Sequence, residues 1–235
     1  MRTSTTIVAS VFVSLATLAA APLAWAADDD PYFINKREFR RTYKTIALSP
    51  VDAPGLFNMP DSVAAALEEE VTKRLERRGI EVLPSSVLAG IRSEMAGHIG
   101  GLIDPDSGEE SPARVRAVRE HANRELWFRH GIDAVATIRI DMVDAHFEKG
   151  RAEWDGVKQK LIEEGRDRGY GGNIRASSVA FTIYDPTGRP LYAHYGGIEL
   201  LQKRVEAQLL PIPASEYFSD DKRVRKAAQI SVSEI

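Results

Sequence analysis

Four apolar residues spaced four apart, Val63, Leu67, Val71 and Leu75, alternate with a charged set made of Glu68, Glu69, Lys73, Arg74 and Arg77. That spacing predicts an amphipathic helix with one buried stripe. Asp61 can cap its start, the order of acids before bases suits the helix dipole, and Gly79 supplies a stop. Two β-type runs flank it. Tyr43-Lys44-Thr45-Ile46-Ala47-Leu48-Ser49-Pro50 reads as a first strand ended by its proline, and Ile80-Glu81-Val82-Leu83-Pro84 as a second. Strand, helix and strand predict a parallel crossover unit of right-handed sense.

A second helix follows from Ser85 or Ser86, with Val87, Leu88, Ile91 and Met95 on its buried side, and the Gly100-Gly101 pair breaks it. Asp104-Pro105-Asp106-Ser107-Gly108 reads as a turn. Ser111-Pro112 opens a third helix with proline at its favoured first position; Val115, Val118, Ala122 and Leu126 form the stripe and Gly131 ends it. Ile132 to Val143 predicts a central strand. Beyond it the period falls to two. Ala145-His146-Phe147 and Ala152-Glu153-Trp154 flank a Lys149-Gly150 turn, and Val179, Phe181 and Ile183 alternate with smaller or polar residues. Asp185-Pro186-Thr187-Gly188 is a hairpin turn before Leu191-Tyr192-Ala193-His194-Tyr195. Residues 163–173, rich in Gly and charge, predict a mobile loop. The fold class expected is α/β (α+β): a mixed sheet in the order β-α-β-α-α-β followed by antiparallel hairpins, with helices mainly on one face. Residues 27–41 read as an extended lead-in, 42–210 as a single α/β domain, and 211–235 as a tail with one short helix from Asp220 to Ala227.

The amino terminus follows other rules. Arg2 precedes an apolar run from Ile7 to Ala21, and Ala24-Trp25-Ala26 offers the small-residue pattern of a cleavage site. Residues 1–26 therefore read as a secretory signal peptide cut after Ala26. The alternative, an uncleaved anchor, needs a longer run than this one, which Pro22 interrupts. Cleavage leaves residues 27–235, with no further segment able to span a membrane. The chain contains no cysteine, which excludes a disulfide, a thiolate metal site, a thiol nucleophile and a lipidated cysteine. The formal net charge is −3; a mildly acidic chain argues against nucleic acid as the main partner and against strong electrostatic adhesion to anionic lipid.

Candidate chemistry is sparse. His121 and Glu125 share a helix face at a spacing metal sites use, but the flanking arginines read more simply as a solvated surface. Asp104, Asp106, Glu109 and Glu110 hint at a calcium loop, with Gly108 out of place for one. Ser177 and Ser178 lie mid-strand, away from any nucleophile elbow. Gly171-Gly172 and Gly196-Gly197 lack the setting of a phosphate cradle, so no cofactor and no metal is expected. Two aromatic–glycine clusters stand out. Trp154-Asp155-Gly156 and Tyr195-Gly196-Gly197 lie near strand ends, and they read either as an exposed partner-binding edge or as buried aromatics packed over glycine.

The order of Thr45-Ile46-Ala47-Leu48-Ser49-Pro50, Gly79-Ile80-Glu81-Val82-Leu83-Pro84, Gly101-Leu102-Ile103-Asp104-Pro105, Gly131-Ile132-Asp133-Ala134-Val135 and Tyr184-Asp185-Pro186-Thr187-Gly188 resembles a family of periplasmic lipoproteins of Gram-negative bacteria first noted in Neisseria. It is also similar to the wider group that includes the amino-terminal domain of the Tol-system β-propeller protein and the curli secretion lipoprotein. The resemblance runs over residues 43–200 and departs from the family in lacking the lipid-bearing cysteine. It implies a non-enzymatic periplasmic module that binds other envelope proteins in assembly or transport. Two other readings stay open: a periplasmic hydrolase assembled only in space, around His194 or Asp155, and a self-associating structural subunit.

Overall fold

The structure, a computed structural model, describes residues 30–54, 59–161, 163–164, 171–206 and 208–235. The export segment expected at 1–26 and the centre of the loop expected at 163–173 lie outside the described residues.

The parallel unit forms as its pattern demands. Strand β1 (Thr45–Leu48) pairs in parallel with β2 (Glu81–Leu83) across helix α2 (Asp61–Arg77), and on its other side with β3 (Ala134–Glu148). Helices α3 (Ser85–His98) and α4 (Pro112–His130) connect β2 to β3, and α4 ends on Gly131 in the left-handed conformation, with φ of 60°. The strand expected over 132–143 and the short run at 145–147 are one element of 15 residues. It pairs antiparallel along nearly its whole length with β7 (Gly172–Tyr184), which pairs with β8 (Pro190–Leu200). Gly172 and Asn173, expected in a loop, begin β7.

Two hairpins extend the far end of β3. The Lys149-Gly150 and Asp155-Gly156 turns each have positive φ at both central residues (51° and 75°, 38° and 73°), the two-residue geometry whose twist matches the flanking strands. They join β3 to β4 (Arg151–Trp154) and β4 to β5 (Val157–Lys160). A small second sheet holds β9 (Gln202–Val205) between β10 (Gln208–Pro211) and the backbone of β6 (Glu163–Glu164).

The stretches read as lead-in and tail both carry helices that enter the core. In α1 (Lys36–Thr42) the Asn35 side chain accepts from the Arg37 N–H at 2.9 Å, and Phe39 is fully buried against Tyr43. One buried aromatic in seven residues leaves no period to detect. In α5 (Asp221–Ser231) Val224, Ala227, Ala228 and Ser231 are all buried.

The mixed α/β architecture expected from the sequence is present, with one correction. The helices cover both faces of the sheet instead of mainly one, because β3 is apolar on both sides where it begins. Ala134, Ala136, Ile138 and Ile140 point into the main core beneath α2 and α5. Val135 points the other way, into a smaller core with Leu88, Ile91, Ala122 and Leu126 of α3 and α4. Farther along that second face, Val143, Ala145 and Phe147 meet Trp154, Ile174 and Leu200 in a third core under the curled β4–β5 hairpin.

Candidate functional site

The two aromatic–glycine clusters converge. The β4–β5 turn folds back onto β8, where the Gly197 N–H donates to the Asp155 carbonyl oxygen at 2.9 Å. Trp154 is only 7% exposed, and its Nε1 donates to the Ser177 carbonyl oxygen at 3.2 Å. A methyl group at Gly197 would meet Trp154 Nε1 at 2.7 Å. The adjacent Gly196 points to the opposite face, where a methyl group would lie 2.0 Å from the Ala227 carbonyl oxygen of α5. The pair thus lets two elements close on one strand from its two faces, an indole on one and a helix backbone on the other. Of the two readings, aromatic-over-glycine packing is the one observed for Trp154 and Gly197, whereas Gly196 is closed by the backbone of α5 and by no aromatic ring. Gly156 belongs to the same junction, 3.1 Å from Ile230 once given a Cβ.

Asp155 and Tyr195 differ from these neighbours, because they border a surface that the sequence did not single out. On the second face of the sheet, Val135 is covered by α3 and α4, and Val143 to Phe147 by the hairpin. Between these covers the β3 residues are Thr137, Arg139 and Asp141. Their cross-strand partners on β7 are Thr182, Ala180 and Ser178, and beyond those lie Ala193, Tyr195 and Gly197 of β8. The result is a polar strip in the middle of a sheet face whose two ends are covered. Arg139 is exposed, and Thr137, Asp141, Asp155, Thr182 and Tyr195 are half-buried.

The strip is internally bonded. Arg139 donates from Nε and Nη2 to one oxygen of Asp141, at 3.1 and 2.9 Å. The fully buried Ser178 hydroxyl donates to Asp155 at 2.5 Å. Burial works against the Arg139 charge, but the Asp141 carboxylate more than offsets it and holds the guanidinium pKa above its usual range. Partial burial, reinforced by the Asp141 charge, pushes the Tyr195 hydroxyl up despite Arg139, so Tyr195 stays a neutral donor. The strip offers a fixed cation, an uncharged phenol, two carboxylates and two threonine hydroxyls on a rigid strand floor. Such a set suits recognition of a polar surface, with Arg and Tyr the side chains most often at interface centres. In sequence its trace was the polar alternation Thr137, Arg139, Asp141; nothing local revealed which strand would pair beside it.

The remaining candidates separate. His194 Nδ1 lies 3.1 Å from the Ile230 carbonyl oxygen, on the α5 side of β8, so it does not join Asp155. Glu125 pairs with Arg129 instead of holding an ion with His121. Asp104 accepts from the Asp106 and Ser107 N–H groups as the cap of a turn. Among the described residues no group of three His, Asp or Glu is placed to hold a metal ion. An open groove of about 460 Å³ runs between α2 and the β2 edge, lined by Leu48, Val82, Pro84, Thr72 and Lys73 among others.

No protein-family model matches the chain, and no curated protein matches it. Among solved structures, the chain is similar to a homolog of the neuraminyllactose-binding hemagglutinin from Helicobacter pylori. The match has 12% identity and a TM-score of 0.31 over 86% of this chain and 90% of that one. A likeness this distant carries no weight for fold or for function. No helix among the described residues is long and apolar enough to cross a membrane.

Proposed function

We propose that this protein is a non-enzymatic, exported accessory protein that acts in the periplasm by binding other envelope proteins during envelope assembly or transport. The observation that carries the binding role is the polar strip of Thr137, Arg139, Asp141, Thr182 and Tyr195, which the described residues leave uncovered between two covered ends of one sheet face. A sheet face left bare in its centre, but furnished with a fixed Arg–Asp pair and a phenol, gives a partner directional bonds on a surface that does not rearrange. The signal-like residues 1–26 and the resemblance to periplasmic lipoproteins support the compartment, and the missing lipid-bearing cysteine sets this chain apart from the lipid-anchored members.

The test compares capture of envelope proteins by the wild-type chain and by Arg139→Glu. The expected result is one or a few defined partners, lost when the charge is reversed while the melting temperature holds. An identical capture pattern from both proteins would contradict the assignment to the strip. Mass measurement of the cellular form tests export: a first residue of Ala27 is expected, and a cytosolic form retaining Met1 would overturn it.

A further inference from the structure

The chain's small net charge conceals a strong segregation. The first residues of β1, β2 and β3, the last turns of α1, α2 and α4, and the β7–β8 turn all meet at one end of the molecule. The Glu81 N–H donates to the Lys44 carbonyl at 2.7 Å, the Asp133 N–H to the Thr45 carbonyl at 2.8 Å, and Val135 pairs with Tyr184. Exposed at this end are Arg41, Lys44, Arg77, Arg78 and Arg124. Its carboxylates are largely committed: Asp133 accepts from the Lys44 and Thr45 N–H groups, Asp185 from Thr187 and Arg189, and Glu125 pairs with Arg129. Glu76 and Glu81 are left exposed against the five cations, with Glu38 and Glu120 exposed one turn back on α1 and α4.

From this basic end projects an apolar pair. Trp127 and Phe128, in the last turn of α4, are 55% and 80% exposed. Their rings stack with centroids 5.8 Å apart. Both rings stand largely in solvent. The chain enters the fold toward the same end, on the other face of the sheet, where Tyr32 bridges to Tyr192 near the start of β8.

We infer that this end docks reversibly on an anionic phospholipid bilayer, with Trp127 and Phe128 at headgroup depth and the surrounding arginines and Lys44 over the lipid charges. Aromatic side chains beside cations match the two components of interfacial binding, apolar insertion and attraction to anionic headgroups. A protruding phenylalanine gains from a soft interface, whereas a rigid partner must supply a matching pocket. The surface is separate from the strip on the sheet, so either can fail alone.

The experiment uses the full chain carrying Trp25→Phe, which leaves Trp127 and Trp154 as the only indoles. Vesicles of phosphatidylglycerol, with and without brominated acyl chains, are compared with neutral phosphatidylcholine at low salt. Expected is co-sedimentation with the anionic vesicles only, with bromine quenching the exposed indole and sparing the buried Trp154. Arg77→Gln with Arg78→Gln weakens partitioning roughly twenty-fivefold, since each basic residue near the surface contributes about fivefold. Trp127→Ala with Phe128→Ala removes both the quenching and most of the binding; an unchanged circular dichroism spectrum shows that the fold survives. The inference is overturned by equal binding to neutral vesicles or by no binding at all. Binding undiminished in the aromatic double variant, as an apolar amino-terminal segment would give, also overturns it, as does binding to an oligonucleotide in place of vesicles.

Discussion

Replacing Gly196 by alanine tests the close approach of α5 to the sheet. The added carbon would stand 2.0 Å from the Ala227 carbonyl oxygen, 2.9 Å from its carbon and 3.1 Å from its Cα, all of them backbone atoms. No side chain can swing aside, so the helix must retreat by about 1–1.5 Å to restore ordinary contact distances. A retreat of that size forfeits about half or more of the dispersion energy along the contact, since a gap of about 0.5–1 Å already costs a quarter to a half. It loosens Val224, Ala227 and Ala228 and stretches the Tyr192 hydroxyl bond to the Ser231 carbonyl, now 3.0 Å. Overpacking alone costs about 1–3 kcal/mol and a buried hydroxyl left unpaired about 1–3 kcal/mol more, so the expected loss is about 2–6 kcal/mol. Guanidinium unfolding of Gly196→Ala against wild type measures it. Gly90→Ala in α3, where the new carbon meets nothing within 4 Å, is the control and should gain about 0.5–1 kcal/mol. A Gly196→Ala protein within about 0.5 kcal/mol of wild type, with the same denaturant slope, would refute the packing described.

Three further outcomes concern other contacts of β8 and of the turn that precedes it. Gly197→Ala should unseat the Trp154 ring from the Ser177 carbonyl, seen as a red shift of the buried indole's emission; an unshifted spectrum would contradict the clamp. Burial raises the Glu199 pKa above the ordinary 4.5, although the Phe218 N–H bonded to it pulls the other way. Its stabilising effect is complete below pH 4.5 and is lost as pH rises through the folded value. Glu199→Gln should therefore gain stability relative to wild type toward neutral pH and show no gain in acid; a pH-independent difference would count against this. Partial burial pushes Asp185 upward, but bonds from Thr187 and Arg189 outweigh it and hold the carboxyl below 3.8. That stability is present above pH 3.8 and is lost as pH falls through the folded value. Asp185→Ala should cost about 1–3 kcal/mol at pH 7 and progressively less in acid, as followed by thermal melts.

Much of the parallel half of the fold is legible in sequence, because each element there carries its own period and its own punctuation. Val63 to Leu75 mark α2, Pro112 opens α4 and Gly131 closes it. What escaped depends on partners distant in sequence. Phe39 is buried by Tyr32 and Tyr43 without any local repeat. The apolar face of α5 consists largely of alanines, whose burial depends on Gly196 opposite them. The even distribution of helices over both faces was hidden because Val135 and Ala136 read alike until their neighbours are known. The polar strip required the register of three strands. Arg139, Ala180 and Tyr195 are far apart in the chain and side by side in the sheet. The basic end required the topology, since its cations come from three helix ends and the start of one strand while the overall charge stays at −3.

The proposed binding role requires a partner to sit on the centre of the second sheet face. A photocrosslinking residue at Thr182, in that centre, tests it in living cells beside the same probe at Met142. Met142 is 47% exposed and points to the other side of β3. A discrete protein adduct from position 182 and none from 142 is the predicted result. Adducts from neither position, or the same adducts from both, would contradict it.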